Sequence, residues 1–258
     1  MVRGTESFRE WFSGYEEQYV LIGGTACDML MSDEGLDFRA TKDFDLVLIV
    51  EAIQPDFGKR FWEYIRAGNY EHRNKSSGTP QFYRFIHPTS PEFPAMIELF
   101  TRKPDTVLLP DDAFLTPLPL DDDISSLSAI LLDDSYYEFM KQGRTVVSGV
   151  SVLDAQHLIP FKAKAWLDLS VRKAAGDPVD SKNIRKHKND VFRLSELLPR
   201  EPVEALAVPA SVMADIAEFL SLMEQEEVNL PQLGIRGRSK EEIISNIRSV
   251  YLPRDVLL

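Results

Sequence analysis

The chain has 258 residues and a formal net charge of −12, a balance that argues against a surface coated for general nucleic-acid binding. Hydrophobic residues make up 44% and charged residues 27%, as in an ordinary globular protein large enough for one domain with a helical extension or for two modest domains. No apolar run approaches the ~18 residues that span a bilayer, no signal-peptide core follows Arg3, Glu6, Arg9 and Glu10, and the single Cys27 excludes an internal disulfide, so a cytoplasmic location is expected.

Taken in chain order, Phe8, Trp11, Phe12 and Tyr15 fall at helical spacing and predict a first helix over 6–18 with an aromatic core face. An apolar run at 19–22 predicts a strand that breaks at Gly23-Gly24-Thr25, with Thr25 placed to cap the helix that follows. A strand over 43–50 and a helix over 55–68 come next. A polar segment over 70–79 leads into a strand at 81–87 that alternates polar and apolar residues, and further strands are expected at 95–100 and 127–132. The Pro- and Asp-rich stretch 104–123, including Asp121, Asp122 and Asp123, reads as a surface connection. Beyond Ser151 the texture becomes helical. A short helix or a strand–turn entry at 151–158 precedes helices over 160–175, with Pro160 as first residue, and over 181–198, 209–226 and 240–251. An α/β head followed by a helical tail, divided near residue 150, is the expected organisation. Trp62, Trp166 and Cys27 read as core, and His72, His87, His157 and His187 have no metal-ligand spacing.

Chemistry concentrates between Tyr19 and Glu51. Side chains alternate along a strand, so Asp43 and Asp45 share one face while Phe44, Leu46 and Leu48 supply apolar surface. Paired carboxylates suit Mg²⁺, which takes oxygen ligands and is commonly held by one or two carboxylates together with substrate phosphates. Gly23 and Gly24 can let a phosphate approach the backbone at the start of a helix, where unpaired N–H groups face an anion. Glu98 interrupts the apolar run Ala95–Phe100. An acid in such a strand is either a ligand or an edge residue facing water; beside Asp43 and Asp45 it becomes a third member of the site, where two metal ions could activate an attacking oxygen and stabilise leaving pyrophosphate.

Gly23-Gly24-Thr25 followed by Arg39-x-Thr41-x-Asp43-x-Asp45 resembles the signature of the DNA-polymerase-β-like nucleotidyltransferase superfamily, and the long interval with its Arg-x-Thr lead-in resembles the AbiEii-type branch of abortive-infection and type IV toxin–antitoxin toxins. The tail is similar too: Lys162-Ala163-Lys164-Ala165 matches that branch's Lys-x-x-Ala helix. Lys188-Asn189-Asp190-Val191-Phe192-Arg193-Leu194 matches its later element except that Arg193 stands where the family has a second aspartate. The resemblance implies an α/β, nucleotidyltransferase-like mixed sheet flanked by helices over 1–150, the catalytic domain, followed by a helical C-terminal domain over 151–258. It implies catalytic and metal-binding roles for Asp43, Asp45 and Glu98, and nucleotide binding by Gly23, Gly24, Thr25, Lys162 and Asp190. Two Mg²⁺ ions, an NTP, a tRNA or other RNA acceptor and a cognate antitoxin are the implied cofactors and partners. A catalytically inactive nucleotide- or partner-binding module of the same fold is the alternative.

Two points stay open in the residues themselves. Lys162 and Lys164 point about 200° apart on one helix, so only one can face a cleft. Residues 162–193 hold nine Lys/Arg against four acids, which serves either a solvated helical face or a site for a triphosphate or an RNA backbone.

Overall fold

The structure, a computed structural model, describes residues 2–71, 82–102, 130–131, 133–202 and 204–253. It divides into two compact units, one formed by 1–121 with 144–154 and the other by 122–143 with 155–258.

The first unit holds helices α1 (Thr5–Trp11), α2 (Gly23–Asp33) and α3 (Pro55–Ala67) and strands β1 (Tyr19–Ile22), β2 (Asp43–Leu48), β3 (Phe82–Ile86), β4 (Met96–Phe100), β5 (Arg144–Val147) and β6 (Val150–Leu153). The strands form one mixed sheet in the order β3-β4-β2-β1-β6-β5. β1 runs antiparallel to β2 and parallel to β6, β2 runs parallel to β4, and β3 and β5 close the two edges antiparallel to β4 and β6. β1 is covered on both faces, which is why its four residues are all apolar and all buried. The mixed sheet flanked by helices is thus as the sequence led us to expect.

Register divides the sheet into an aromatic face and a polar one. Phe44 points to the face covered by α1 and α3, where Phe8, Phe12, Tyr19, Phe57, Phe61 and Tyr64 are fully buried. Phe12 lies 4.5 Å from Phe8, 5.2 Å from Tyr64 and 5.6 Å from Phe57 by ring centroid, tilted and edge-on arrangements worth ~0.5–1.5 kcal/mol per pair beyond area burial. Asp43 and Asp45, one residue to either side of Phe44, share the opposite face.

The second unit contains α4 (Asp134–Gln142), α5 (Ala155–Ala174), α6 (Ser181–Leu194), α7 (Ala210–Met223) and α8 (Lys240–Tyr251). Local sequence sets their starts. The Asp133 carboxylate accepts from the N–H groups of Ser135 and Tyr136, Asp180 accepts from Lys182, and Ser239 and Glu242 form a reciprocal capping box. No helix among the described residues is long and apolar enough to cross a membrane.

Several expected elements are corrected. α1 ends at Trp11, well short of residue 18. Ile130 and Leu131 are helical where a strand over 127–132 was expected, and the rest of that span lies outside the described residues; a short apolar run fits either element, and packing decides. The far edge of the sheet is instead the hairpin β5–β6, turned by Ser148 (φ 49°) and Gly149 (φ 79°), both left-handed as a two-residue type I′ connection requires. Pro160 lies inside α5, which begins at Ala155. The carbonyl that Pro160 cannot bond, that of Gln156, accepts from the Tyr251 hydroxyl at 2.6 Å, so the missing helix bond is replaced by a tertiary one. The segment 72–79 with His72, and the connection 104–123 with Asp121, Asp122 and Asp123, lie outside the described residues.

Candidate active site

The first unit's polar face is organised by strand register. Asp45 stands opposite Ile22 on β1 and opposite Glu98 on β4, and Glu98 stands opposite Arg84 on β3. Arg84, Glu98 and Asp45 therefore form one line across three adjacent strands, with Asp43 two residues along β2 on the same face. Glu98 is only 6% exposed. The Arg84 guanidinium donates to its Oε1 from Nε at 2.9 Å and from Nη2 at 2.6 Å. Burial first, then the charge of Asp45 and a hydrogen bond with it, push the Glu98 carboxyl up to about 8 against the opposing effect of Arg84.

The glycines that end β1 fit against this line. Gly23 has φ +70°, and a Cβ there would lie 1.8 Å from Asp45 Oδ2; a side chain at 23 is excluded by the backbone and by the carboxylate together. Gly24 is helical, and a Cβ on it would lie 2.5 Å from Thr41 Oγ1 and 3.4 Å from an Arg39 guanidinium nitrogen. The Arg39-x-Thr41 lead-in thus packs against the first turn of α2. Ile22, rather than Thr25, is the N-cap residue. Thr25 is fully buried and its hydroxyl donates to the main-chain oxygen of Asp43 at 2.6 Å, tying the helix to β2. The N–H groups at the start of α2 and the carboxylates of β2 are consequently neighbours in one structure.

Asp43 and Asp45 supply hard oxygen donors that fit a divalent cation, and mutual repulsion between Asp45 and Glu98 is what a cation would relieve. Glu98 is committed to Arg84 and Asp45. Among the described residues no three His, Cys, Asp or Glu side chains are gathered so as to hold a metal ion as they stand.

Lys162 and Asp190 belong to the second unit. Lys162 is 5% exposed and Asp190 completely buried; Lys162 Nζ lies 3.4 Å from one carboxylate oxygen of Asp190 and Arg193 Nη1 lies 3.5 Å from the other. Arg193, where the resemblance has an aspartate, thus shares Asp190 with Lys162. Lys164 occupies different surroundings, 3.1 Å from Asp215 and 3.4 Å from Asp168, beside a cavity of about 340 Å³ that Tyr136 also lines. Burial pushes the Asp168 carboxyl and the Tyr136 phenol up. Arg172 pairs with Asp177 and Lys188 with Glu226. Much of the basic segment 162–193 is therefore balanced by acids of its own unit.

Arg84 is the site residue that sequence reading overlooked. The available signal was a lone base in the alternating run 81–87 and a lone acid in the apolar run 95–100, a complementary pair on what prove to be adjacent strands.

No family model and no curated protein matches the chain. Among solved structures, the chain is similar to the antibiotic-resistance factor ANT(2'')-Ia at 14% identity and a TM-score of 0.35, over 86% of this chain and 92% of that one. It is also similar to JHP933 from Helicobacter pylori at 12% identity and a TM-score of 0.34, over 95% of this chain and 90% of that one. Likenesses this distant add nothing to the reading of the site, which rests on its own geometry.

Proposed function

We propose that the chain is a magnesium-dependent nucleotidyltransferase that moves a nucleoside monophosphate from an NTP to a hydroxyl acceptor and releases pyrophosphate. The observation that carries this reading is the register-matched line Arg84, Glu98, Asp45, with Gly23, where a Cβ would lie 1.8 Å from Asp45 Oδ2, at the start of a helix. Phosphoryl chemistry asks a protein mainly for positioning and for charge stabilisation, and this face offers both. Asp43 and Asp45 would hold Mg²⁺, with Glu98 beside them. A bound ion would neutralise charge developing on the transferred phosphate and the departing pyrophosphate.

The chain's own groups account for the remaining requirements. N–H groups at the start of α2 would receive phosphate oxygens over Gly23 and Gly24, where the absence of side chains lets the backbone approach. As the acceptor oxygen bonds to the α-phosphorus and the bond to pyrophosphate breaks, the acceptor proton would pass to Glu98 in its ionised form, the form that Arg84 favours. Lys162, oriented by Asp190, would bind nucleotide phosphate.

By its resemblance to AbiEii-type toxins the acceptor would be RNA, most directly a tRNA 3′ end, in a cytoplasmic protein with a cognate antitoxin. The Arg84–Glu98 ion pair favours a second reading, a nucleotide- or partner-binding module of the same fold in which the third carboxylate is neutralised and turnover lost. Incubation with Mg²⁺, each labelled NTP and total RNA separates them: transfer leaves label on an acceptor that disappears in Asp45→Asn, whereas a binding module retains NTP and labels nothing.

A further inference from the structure

Asp43, Asp45 and Glu98 share the polar face of the sheet with Arg84. A second cation ligated by Glu98 would have to approach a guanidinium already bonded to Glu98 Oε1 at 2.9 and 2.6 Å. That guanidinium is always charged and is held in place by β3–β4 register, with side-chain exposures of 19% for Arg84 and 7% for Glu98. Water therefore screens little of its repulsion toward another cation. Asp43 and Asp45 lie on the neighbouring strand, adjacent to the glycine turn where a phosphate-bearing ligand would enter.

We propose that the carboxylate site takes a single divalent cation through Asp43 and Asp45, and that Arg84 is a positioning residue whose guanidinium brings to Glu98 the positive charge a second ion would otherwise supply. The proposal deepens the nucleotidyl-transfer reading and rests on it for the class of ion. It departs from the two-ion arrangement that three carboxylates suggest. Removing the charge at 84 should open the Glu98 position to a second ion, whereas a lysine there should keep it closed.

The test is Mn²⁺ titration of the full chain, followed by loss of the free-ion electron paramagnetic resonance signal, with Mn²⁺ alone as the probe because it takes the same oxygen ligands as Mg²⁺. Wild type should bind one Mn²⁺ per chain and lose it in Asp45→Asn; Arg84→Gln should bind two and Arg84→Lys one, with thermal melts confirming that each variant is folded. Two ions in wild type would overturn the single-ion proposal and leave nucleotidyl transfer standing. One ion in both wild type and Arg84→Gln would overturn the role of Arg84, and one that survives Asp45→Asn would place the ion elsewhere. No Mn²⁺ binding by wild type would count first against the magnesium-dependent reading itself. Should Arg84→Gln fail to fold, the wild-type count still decides the single-ion claim, and Arg84→Met, which removes the charge but keeps an apolar stem, takes its place in the test of Arg84 under the same two outcomes.

Discussion

Glu98 stands directly opposite Asp45 on the adjacent parallel strand, buried and bonded on its other side to Arg84. That relationship sets the electrostatics of the sheet unit. Two carboxylates at matched register cannot both ionise cheaply when one is withdrawn from water, so Glu98 retains its proton to about pH 8.

The same shift makes stability depend on pH. Glu98 is raised in the folded chain from an ordinary value of 4.5 to about 8, so between those limits the folded state binds more protons than the unfolded one and stability falls as pH rises. The contribution is fully present below about pH 4.5 and lost above about pH 8. Urea melts across this range should show a declining slope in wild type that is absent in Glu98→Gln, and the variant should gain on wild type toward pH 9. A wild-type profile unchanged by Glu98→Gln would contradict the assigned cause.

Gly23 and Gly24 should respond differently to alanine. Gly23→Ala places a side chain at φ +70° and 1.8 Å from Asp45 Oδ2; the backbone alone costs ~1–2 kcal/mol, and the displaced carboxylate should abolish transfer. Gly24→Ala keeps a helical backbone but brings a Cβ to 2.5 Å from Thr41 Oγ1, 3.2 Å from Thr41 Cβ and 3.4 Å from Arg39, so its melting temperature should fall less than that of Gly23→Ala while nucleotide affinity falls. Equal thermal losses in the two variants would count against this division.

Asp190 separates two cations in the helical unit. Asp190→Ala leaves the buried Lys162 and the half-buried Arg193 without the carboxylate both now face, and removing one partner of a buried pair in this way costs ~3–5 kcal/mol. Lys162→Met with Asp190→Leu, which replaces charge by apolar volume, should recover much of that stability in denaturant melts but not nucleotide binding. Recovery of both would show that Lys162 serves the fold alone.

Phe12 anchors the aromatic face of the sheet. Phe12→Ala should lower stability by ~3–5 kcal/mol while leaving transfer per folded molecule near wild type at low temperature, because its contacts lie on the side of β2 away from Asp43 and Asp45. A loss of specific activity in fully folded Phe12→Ala would show that the two faces are coupled.

Which parts of this arrangement could be read in advance follows from how far each signal reaches along the chain. The glycine turn, the shared face of Asp43 and Asp45 and the aromatic core are local: period-two alternation and helical spacing place them without tertiary information. Arg84 was missed because its meaning depends on β3 and β4 pairing in one register, which no spacing within either strand encodes. The β5–β6 hairpin did carry a local signal, Ser148-Gly149 between β-branched residues, yet the helical texture beyond it outweighed that dipeptide. Pro160 was misplaced because the hydroxyl that relieves its helix belongs to Tyr251, far along the chain. Thr25 was assigned to capping on composition, whereas the β1–α2 junction turns its hydroxyl toward β2.

Nucleotidyl transfer is tested most directly by following two labels on one NTP, the α-phosphate and the γ-phosphate, during incubation with Mg²⁺ and total RNA. The account predicts that the α label becomes covalently attached to RNA while the γ label leaves as pyrophosphate, both at the same rate and both lost in Asp45→Asn. Release of the γ label as inorganic phosphate, or its appearance on the acceptor while the α label stays in free nucleotide, would contradict it.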